Sequence, residues 1–93
     1  MAFPHRIIHA HVRRTNKKLT PGHWFYDEGP GWICAEAGLD SNRKWYLKIY
    51  YEHRGKPLPE SQLKFQSLDD VKAFLSGYFE CPVEDGTLPP PDL

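Results

Sequence analysis

Three histidines near the start of the chain, His5, His9 and His11, are the residues best suited to metal chemistry. A β-strand through this segment places all three on one face, because successive side chains on a strand alternate between faces. A His-x-His pair on a strand has a geometry that binds zinc. However, His5 falls beyond the predicted strand and no acidic residue is near in sequence. We therefore interpret the histidines as an exposed polar face of an edge strand, and we predict no metal and no cofactor. His23 and His53 are isolated in sequence and indicate no partner.

Cys34 is the one candidate nucleophile, and it needs a neighbouring histidine as general base. The sequence contains no nucleophile-elbow, phosphate-loop or dinucleotide-binding motif. We therefore predict no catalytic residues and a protein that is not an enzyme, with a small Cys/His enzyme as the remote alternative. Cys34 and Cys81 are expected to be reduced and free, because two thiols without a secretory signal rarely pair.

The composition predicts one small domain. The chain has 93 residues, with 12 basic and 12 acidic side chains and a formal net charge of zero. We place a single α+β domain at residues 1–80 and a proline-rich tail at 81–93. No apolar run of about 20 residues and no apolar leader is present, so we expect no membrane contact and an intracellular location. The cytoplasm is the expected compartment, with the nucleus as the alternative.

The zero net charge conceals a gradient along the chain. Residues 1–20 carry five basic and no acidic side chains, whereas residues 57–93 carry seven acidic and two basic ones. One interpretation is that the basic segment binds an anionic partner. The other is that the two ends of the chain lie close together and attract each other.

The pattern of apolar and turn residues predicts strands and one helix. We expect a strand at 5–14, a loop at 15–23, a hairpin at 24–37 and a long strand at 44–53. A helix begins after Ser67, whose side chain caps it, and it carries one apolar stripe.

A register can be proposed for the second hairpin, across a loop at 38–42. Ala35 then faces Trp45, and Ile33 faces Leu47, on an apolar face that the helix covers. On the opposite face Cys34 lies beside Tyr46. The predicted fold is thus an antiparallel sheet of three to four strands with one amphipathic α-helix near the C-terminus packed on one face.

The face turned away from the helix is the predicted binding surface, since interleaved aromatic and basic residues are enriched at interfaces. Together with the basic N-terminal segment, its predicted contact residues are Trp32, Lys44, Tyr46, Lys48, Tyr50, Arg13, Arg14, Lys17 and Lys18. We expect a protein-binding adaptor or inhibitor, including self-association, with DNA or RNA binding as the alternative. A third reading has residues 5–19 folding over this face and burying it.

The order of elements from Gly29 to Phe79 resembles that of methyl-CpG-binding domains and other DNA binders with a three-stranded sheet and a helix. The similarity is carried by the 30–32 Pro-Gly-Trp motif, the strand at 45–51 and the 64–67 Lys-Phe-Gln-Ser motif. It would imply DNA binding. The sequence departs from that pattern at Gln66, where the family has arginine, and at Leu47, where it has aspartate.

Overall fold

The computed structural model describes residues 6–14, 18–29, 31–50 and 63–86. These residues form a sheet and one helix, whose bounds in chain order are β1 Ile7–Arg14, β2 Leu19–Asp27, β3 Ile33–Leu39, β4 Trp45–Ile49, β5 Leu63–Phe65, α1 Leu68–Phe79 and β6 Val83–Asp85. Within this part of the chain no helix has the length and apolar character that crossing a bilayer requires.

The strands form one curled mixed sheet in the order β5-β4-β3-β2-β1-β6. Neighbouring strands are antiparallel except for β1 and β6, which are parallel. The predicted antiparallel sheet of three to four strands is therefore wrong, although one helix does pack on one face of the sheet. The additional strands β5 and β6 have three residues each, too few to show a period-2 pattern.

Strand β1 confirms the strand predicted at 5–14, over the residues that the structure describes. The loop predicted at 15–23 is wrong from Leu19 onward, because β2 begins there despite its Pro21 and Gly22. Pro21 pairs with Val12, and the residues between Pro21 and Trp24 form a bulge in which β2 has one residue more than β1. Gly22 has φ 154°, and a Cβ added there would lie 3.0 Å from Nε1 of Trp24. Only glycine fits this position without strain.

The predicted hairpins form, but the second has a different register. Leu39 pairs with Trp45 and Ala37 with Leu47, so the loop lies at 40–44 instead of 38–42: β3 runs two residues further than we expected and β4 begins two residues later. Asp40 stabilises the loop at this shifted position, because its Oδ1 accepts hydrogen bonds from the backbone N–H groups of Asn42 (2.8 Å) and Lys44 (3.0 Å).

A second irregularity changes which face two residues occupy. Phe25 pairs with Ala35 and Tyr26 pairs with Ile33, so Cys34 is an extra residue in β3. Cys34 therefore joins the core beneath the helix, whereas Ile33 packs on the opposite face. The predictions that Ile33 lies under the helix and that Cys34 lies beside Tyr46 are both wrong.

The main core lies between the sheet and α1. Its fully buried members include Phe25 and Leu47 from the sheet and Val71 and Leu75 from the helix. As predicted, the Ser67 side chain caps the helix by accepting a hydrogen bond from the Asp70 N–H. We call the sheet surface under α1 the helix-side face and the opposite surface the second face. The second face has its own small cluster, which contains Ala10, Trp24 and Tyr26.

The two charged ends of the described chain do meet. Arg6, just before β1, forms ion pairs with Glu28 in the β2–β3 turn and with Glu84 in β6 (2.5 Å). Strand β6 belongs to the segment that we assigned to an extended tail, and it adds to the sheet edge through β1. Residues 87–93 lie outside the described part.

Candidate metal centre

Three histidines from β1 and β2 converge on the helix-side face. His9 and His11 are two residues apart on β1, so they share a face, and His23 stands on β2 where the bulge brings it opposite His11. Their candidate ligand atoms all lie within 4.8 Å of one another. We call His9, His11 and His23 the histidine cluster. The expectation that His23 is isolated is wrong.

The rings of the cluster are in direct contact. His9 Nε2 lies 2.9 Å from His23 Nδ1, and the two rings are within 9° of parallel. The His11 ring centroid is 4.8 Å from that of His9 and 4.9 Å from that of His23. One hydrogen bond thus joins His9 to His23, and the third ring stands beside the pair.

Asp85 fixes the tautomer of His9. It lies opposite His9 in the parallel β1–β6 pairing, and its Oδ1 is 2.8 Å from His9 Nδ1. Lys72 on α1 donates a hydrogen bond to the same oxygen at 3.0 Å. The hydrogen bond to His9, and then Lys72, lower the pKa of Asp85 to about 2, so it is ionised at neutral pH. His9 therefore carries its proton on Nδ1 and directs the Nε2 lone pair toward His23.

The histidines that are inside the fold are held in their neutral form. Burial, which disfavours the charged imidazolium, is the main cause that lowers the pKa of His9, and Lys72 and His11 add to it against the opposing effect of Asp85. Burial and the neighbouring His9, His11 and Lys72 also lower the pKa of His23. Neutral imidazole is the form that coordinates metal ions.

Aromatic rings hold the cluster in place on two sides. The His9 ring packs against Phe25, with centroids 5.0 Å apart, and Trp45 from β4 contacts His23 edge to face at 5.0 Å. Accessibility is graded across the cluster: His9 is 1% exposed, His23 is half-buried and His11 is exposed. The cluster is therefore rigid on its inner side and open to solvent at His11.

This arrangement matches what a three-coordinate protein site for zinc requires. Zn–N bonds of about 2.0–2.1 Å at tetrahedral angles place ligand nitrogens about 3.3 Å apart. The His9 and His23 nitrogens are already closer than that, and no pair in the cluster exceeds it by more than about 1.5 Å, a difference that small side-chain rotations close. A carboxylate on the outer nitrogen of a ligating histidine is the usual second partner at such centres, and Asp85 occupies that position.

The residues predicted as a binding surface are only partly brought together. Tyr46, Lys48 and Tyr50 do lie on the second face, where Lys48 Nζ stands 5.5 Å from the Tyr46 ring centroid and the Tyr50 hydroxyl donates to Glu36. Trp32 is 39% exposed, just before β3.

The basic segment does not fold over the second face as the third reading proposed, since residues 7–14 form β1 within the sheet. Arg13 lies over the Trp24 ring at 5.5 Å, Lys18 is exposed and Lys44 is half-buried. Arg14 ends β1, and Lys17 lies outside the described residues.

Cys34 does not have the surroundings of a nucleophile. It is buried, its thiol donates to the Phe25 carbonyl oxygen at 3.4 Å, and burial raises its pKa strongly. Cys34 and Cys81 are both free, as predicted.

The fold and the cluster together define a small α+β protein with a three-histidine constellation on a mixed sheet. No protein-family model, no curated protein and no solved structure matches the chain. The six-stranded sheet also departs from the three-stranded arrangement that the resemblance to methyl-CpG-binding domains implies.

Proposed function

We propose that the protein binds one divalent transition-metal ion of the zinc class through His9, His11 and His23. The observation that carries the proposal is the convergence of three imidazoles, from two strands, within 4.8 Å. The interpretation of the histidines as an exposed face of an edge strand is wrong, because β1 lies between β2 and β6, His9 is buried, and a nitrogen of His23 lies 2.9 Å from that of His9.

The donor set determines the class of metal. Imidazole suits Zn²⁺, Cu²⁺, Ni²⁺ and Fe²⁺, whereas Mg²⁺ and Ca²⁺ prefer oxygen ligands. We therefore expect the affinity for simple divalent ions to rise from Co²⁺ through Ni²⁺ to Cu²⁺, and the affinity for Zn²⁺ to be lower than that for Cu²⁺. Zn²⁺ is the proposed ion because its tetrahedral preference suits three protein ligands on one concave side.

Asp85 supports the proposal because it already orients the first ligand. In the metal-free protein the His23 N–H points at His9 Nε2, which is the lone pair that a metal would take. Coordination by His23 Nδ1 moves that proton to the other ring nitrogen, so all three ligands remain neutral imidazoles when the ion binds.

Calorimetric titration of the full chain with Zn²⁺ tests the proposal. We expect one equivalent to bind, Mg²⁺ to give no heat of binding, and the metal to stabilise the fold by about 2.7 kcal/mol when its free concentration is 100 times Kd. EDTA should reverse the stabilisation.

Single alanine variants of His9, His11 and His23 should each weaken binding strongly, whereas His53→Ala serves as the matched control for loss of one histidine. His11→Ala is the most informative of the three, because His11 is exposed and its loss should leave the fold intact. Stoichiometric, tight binding that survives His11→Ala and His23→Ala would overturn the proposal.

A protein-binding surface on the second face is the second candidate function. The exposed Trp32 and the Lys48–Tyr46 contact favour it, since aromatic and cationic groups of this kind are enriched at interfaces. Trp32→Ala with Tyr46→Ala should then abolish association in light scattering or pull-down experiments. DNA or RNA binding predicts instead an affinity that falls steeply with added salt.

A further inference from the structure

We infer that the metal centre is open and hydrolytic: the bound ion keeps a fourth position for solvent on the His11 side and uses it to cleave small carboxylic esters. This inference rests on the proposed metal binding. It adds an activity to a site that would otherwise serve only for storage or stability.

The number of ligands is the first argument. Structural zinc sites are closed by four protein ligands, whereas catalytic sites have three and leave one position for water or substrate. Among the residues that the structure describes, the cluster of metal-binding side chains contains three histidines and no fourth cysteine, aspartate, glutamate or histidine. The Asp85 carboxylate is hydrogen-bonded to Nδ1 of His9, the ring nitrogen that does not face the other histidines, so we do not count it as a ligand.

The graded exposure of the cluster is the second argument, because it gives the open position a direction. His9 lies against Phe25 and is 1% exposed, so the ion cannot be approached from the inner side. His11 is exposed, and a small molecule reaches the ion past that side chain. The exposed His11 side therefore gives a small molecule access to an ion held by the three histidines.

The charges around the cluster favour a hydroxide at that position. Three neutral imidazoles leave the full double charge on the ion, which lowers the pKa of a bound water toward neutrality. The Lys72 ammonium lies 3.0 Å from Asp85 Oδ1, beside the cluster, where its positive charge favours a bound hydroxide.

The reaction balances without an additional reactant. Zinc-bound water releases a proton to the buffer, and the remaining hydroxide attacks the carbonyl carbon of the ester. The bond from this carbon to the alcohol oxygen then breaks, and the alkoxide leaves with the electron pair and takes a proton from the buffer to give the alcohol. A new water molecule displaces the carboxylic acid from the ion. The net change is ester plus water to carboxylic acid plus alcohol.

The test uses the full chain loaded with one equivalent of Zn²⁺ and 4-nitrophenyl acetate as the probe. We expect hydrolysis at least about tenfold faster than with the same concentration of free Zn²⁺. Azide, a monodentate anion, should inhibit it. In the Co²⁺-loaded protein azide should also change the visible absorption spectrum, because it enters the coordination sphere.

Two outcomes overturn the inference while leaving metal binding intact. One is a Co²⁺ spectrum that azide does not alter, together with hydrolysis no faster than free Zn²⁺ gives. The other is a Co²⁺ spectrum that azide does not alter in the unchanged protein but does alter in His5→Ala. This result would show that His5 supplies the fourth ligand. Failure of Zn²⁺ to bind at all would instead remove the proposed function.

Discussion

The two faces of the sheet both carry polar and aromatic groups, but they use them differently. On the second face the polar ends are matched within the protein: the Tyr50 hydroxyl donates to Glu36, and the Lys48 ammonium lies over the Tyr46 ring. On the helix-side face three imidazoles meet, and among the described residues their side-chain hydrogen bonds are the two made by His9, one to Asp85 and one to His23.

The difference teaches how to separate a structural cluster from a ligand site. Donors matched with acceptors stabilise a fold and leave no free lone pair for a metal ion. Lone pairs that converge from two strands, with one of them oriented from behind by a carboxylate, are arranged for a cation. The sequence predicted a binding surface on the second face because of its aromatic and basic composition, whereas the histidine cluster is defined by the geometry of the fold.

The largest effect on stability should come from β4, where two neighbouring residues that point to opposite faces should differ strongly in the cost of substitution. Leu47 is fully buried under the helix, so Leu47→Ala should lower the free energy of unfolding by about 2–5 kcal/mol. Lys48→Ala, one residue later on the second face, should cost no more than about 1 kcal/mol. Urea denaturation of both variants measures the contrast, and equal losses would show that the second face contributes to the core as much as the helix-side face.

Gly38 offers a sharper test of the second face. A Cβ at this position would lie 2.7 Å from the Tyr46 ring, which packs over the glycine across the strands. Gly38→Ala should therefore destabilise the protein by about 1–3 kcal/mol and displace the ring. The double variant Gly38→Ala with Tyr46→Ala should recover part of this loss; if it recovers none, the ring is not the cause.

Asp85 and Glu84, neighbours on β6, distinguish the metal centre from the general charge of that strand. Asp85→Ala removes the carboxylate that orients His9, so we expect Zn²⁺ affinity to fall about 10–100-fold. Glu84→Ala removes the same charge but only the ion pair to Arg6, and the affinity should change little. Equal losses in competition titrations would point to long-range charge rather than to orientation.

The stability of the metal-free protein should fall as the pH falls below about 6.5, the ordinary value for histidine. Because the folded-state pKa values of His9 and His23 are lowered, the unfolded chain binds protons that the folded chain does not, and acid favours unfolding. The groups that face these rings are His11, Asp85 and Lys72. Below about 3.8, protonation of Asp85 removes further stabilisation, since its folded pKa is about 2.

Thermal unfolding between pH 5 and 8 measures this dependence, with a His9→Gln, His23→Gln variant as control. The control should show a flatter profile in this range. An unchanged profile would mean that other groups determine the acid sensitivity.

Local signals predicted much of the fold. The cap at Ser67 and the alternation along β4 each depend on residues close in sequence, and both are confirmed. The position of the β3–β4 loop depended on which backbone groups the Asp40 side chain binds, and the pattern of apolar residues did not reveal that.

The histidine cluster could be predicted only in part. The His9-x-His11 spacing was visible, but the third member depends on a bulge at Gly22 that brings His23 opposite β1. Asp85 is 76 residues away from His9 along the chain, and its position depends on the parallel pairing of a three-residue strand. A glycine next to a histidine within a strand-like segment was the one signal that could have indicated the bulge.

Heteronuclear NMR of the imidazole nitrogens during a Zn²⁺ titration tests the central claim most directly. The account predicts that resonances of His9, His11 and His23 shift together and saturate at one equivalent, because each gives one nitrogen lone pair to the ion. The signals of His53 should stay in place. Shifts confined to one or two of these histidines, or spread over all of them without saturation, would contradict a three-histidine metal centre.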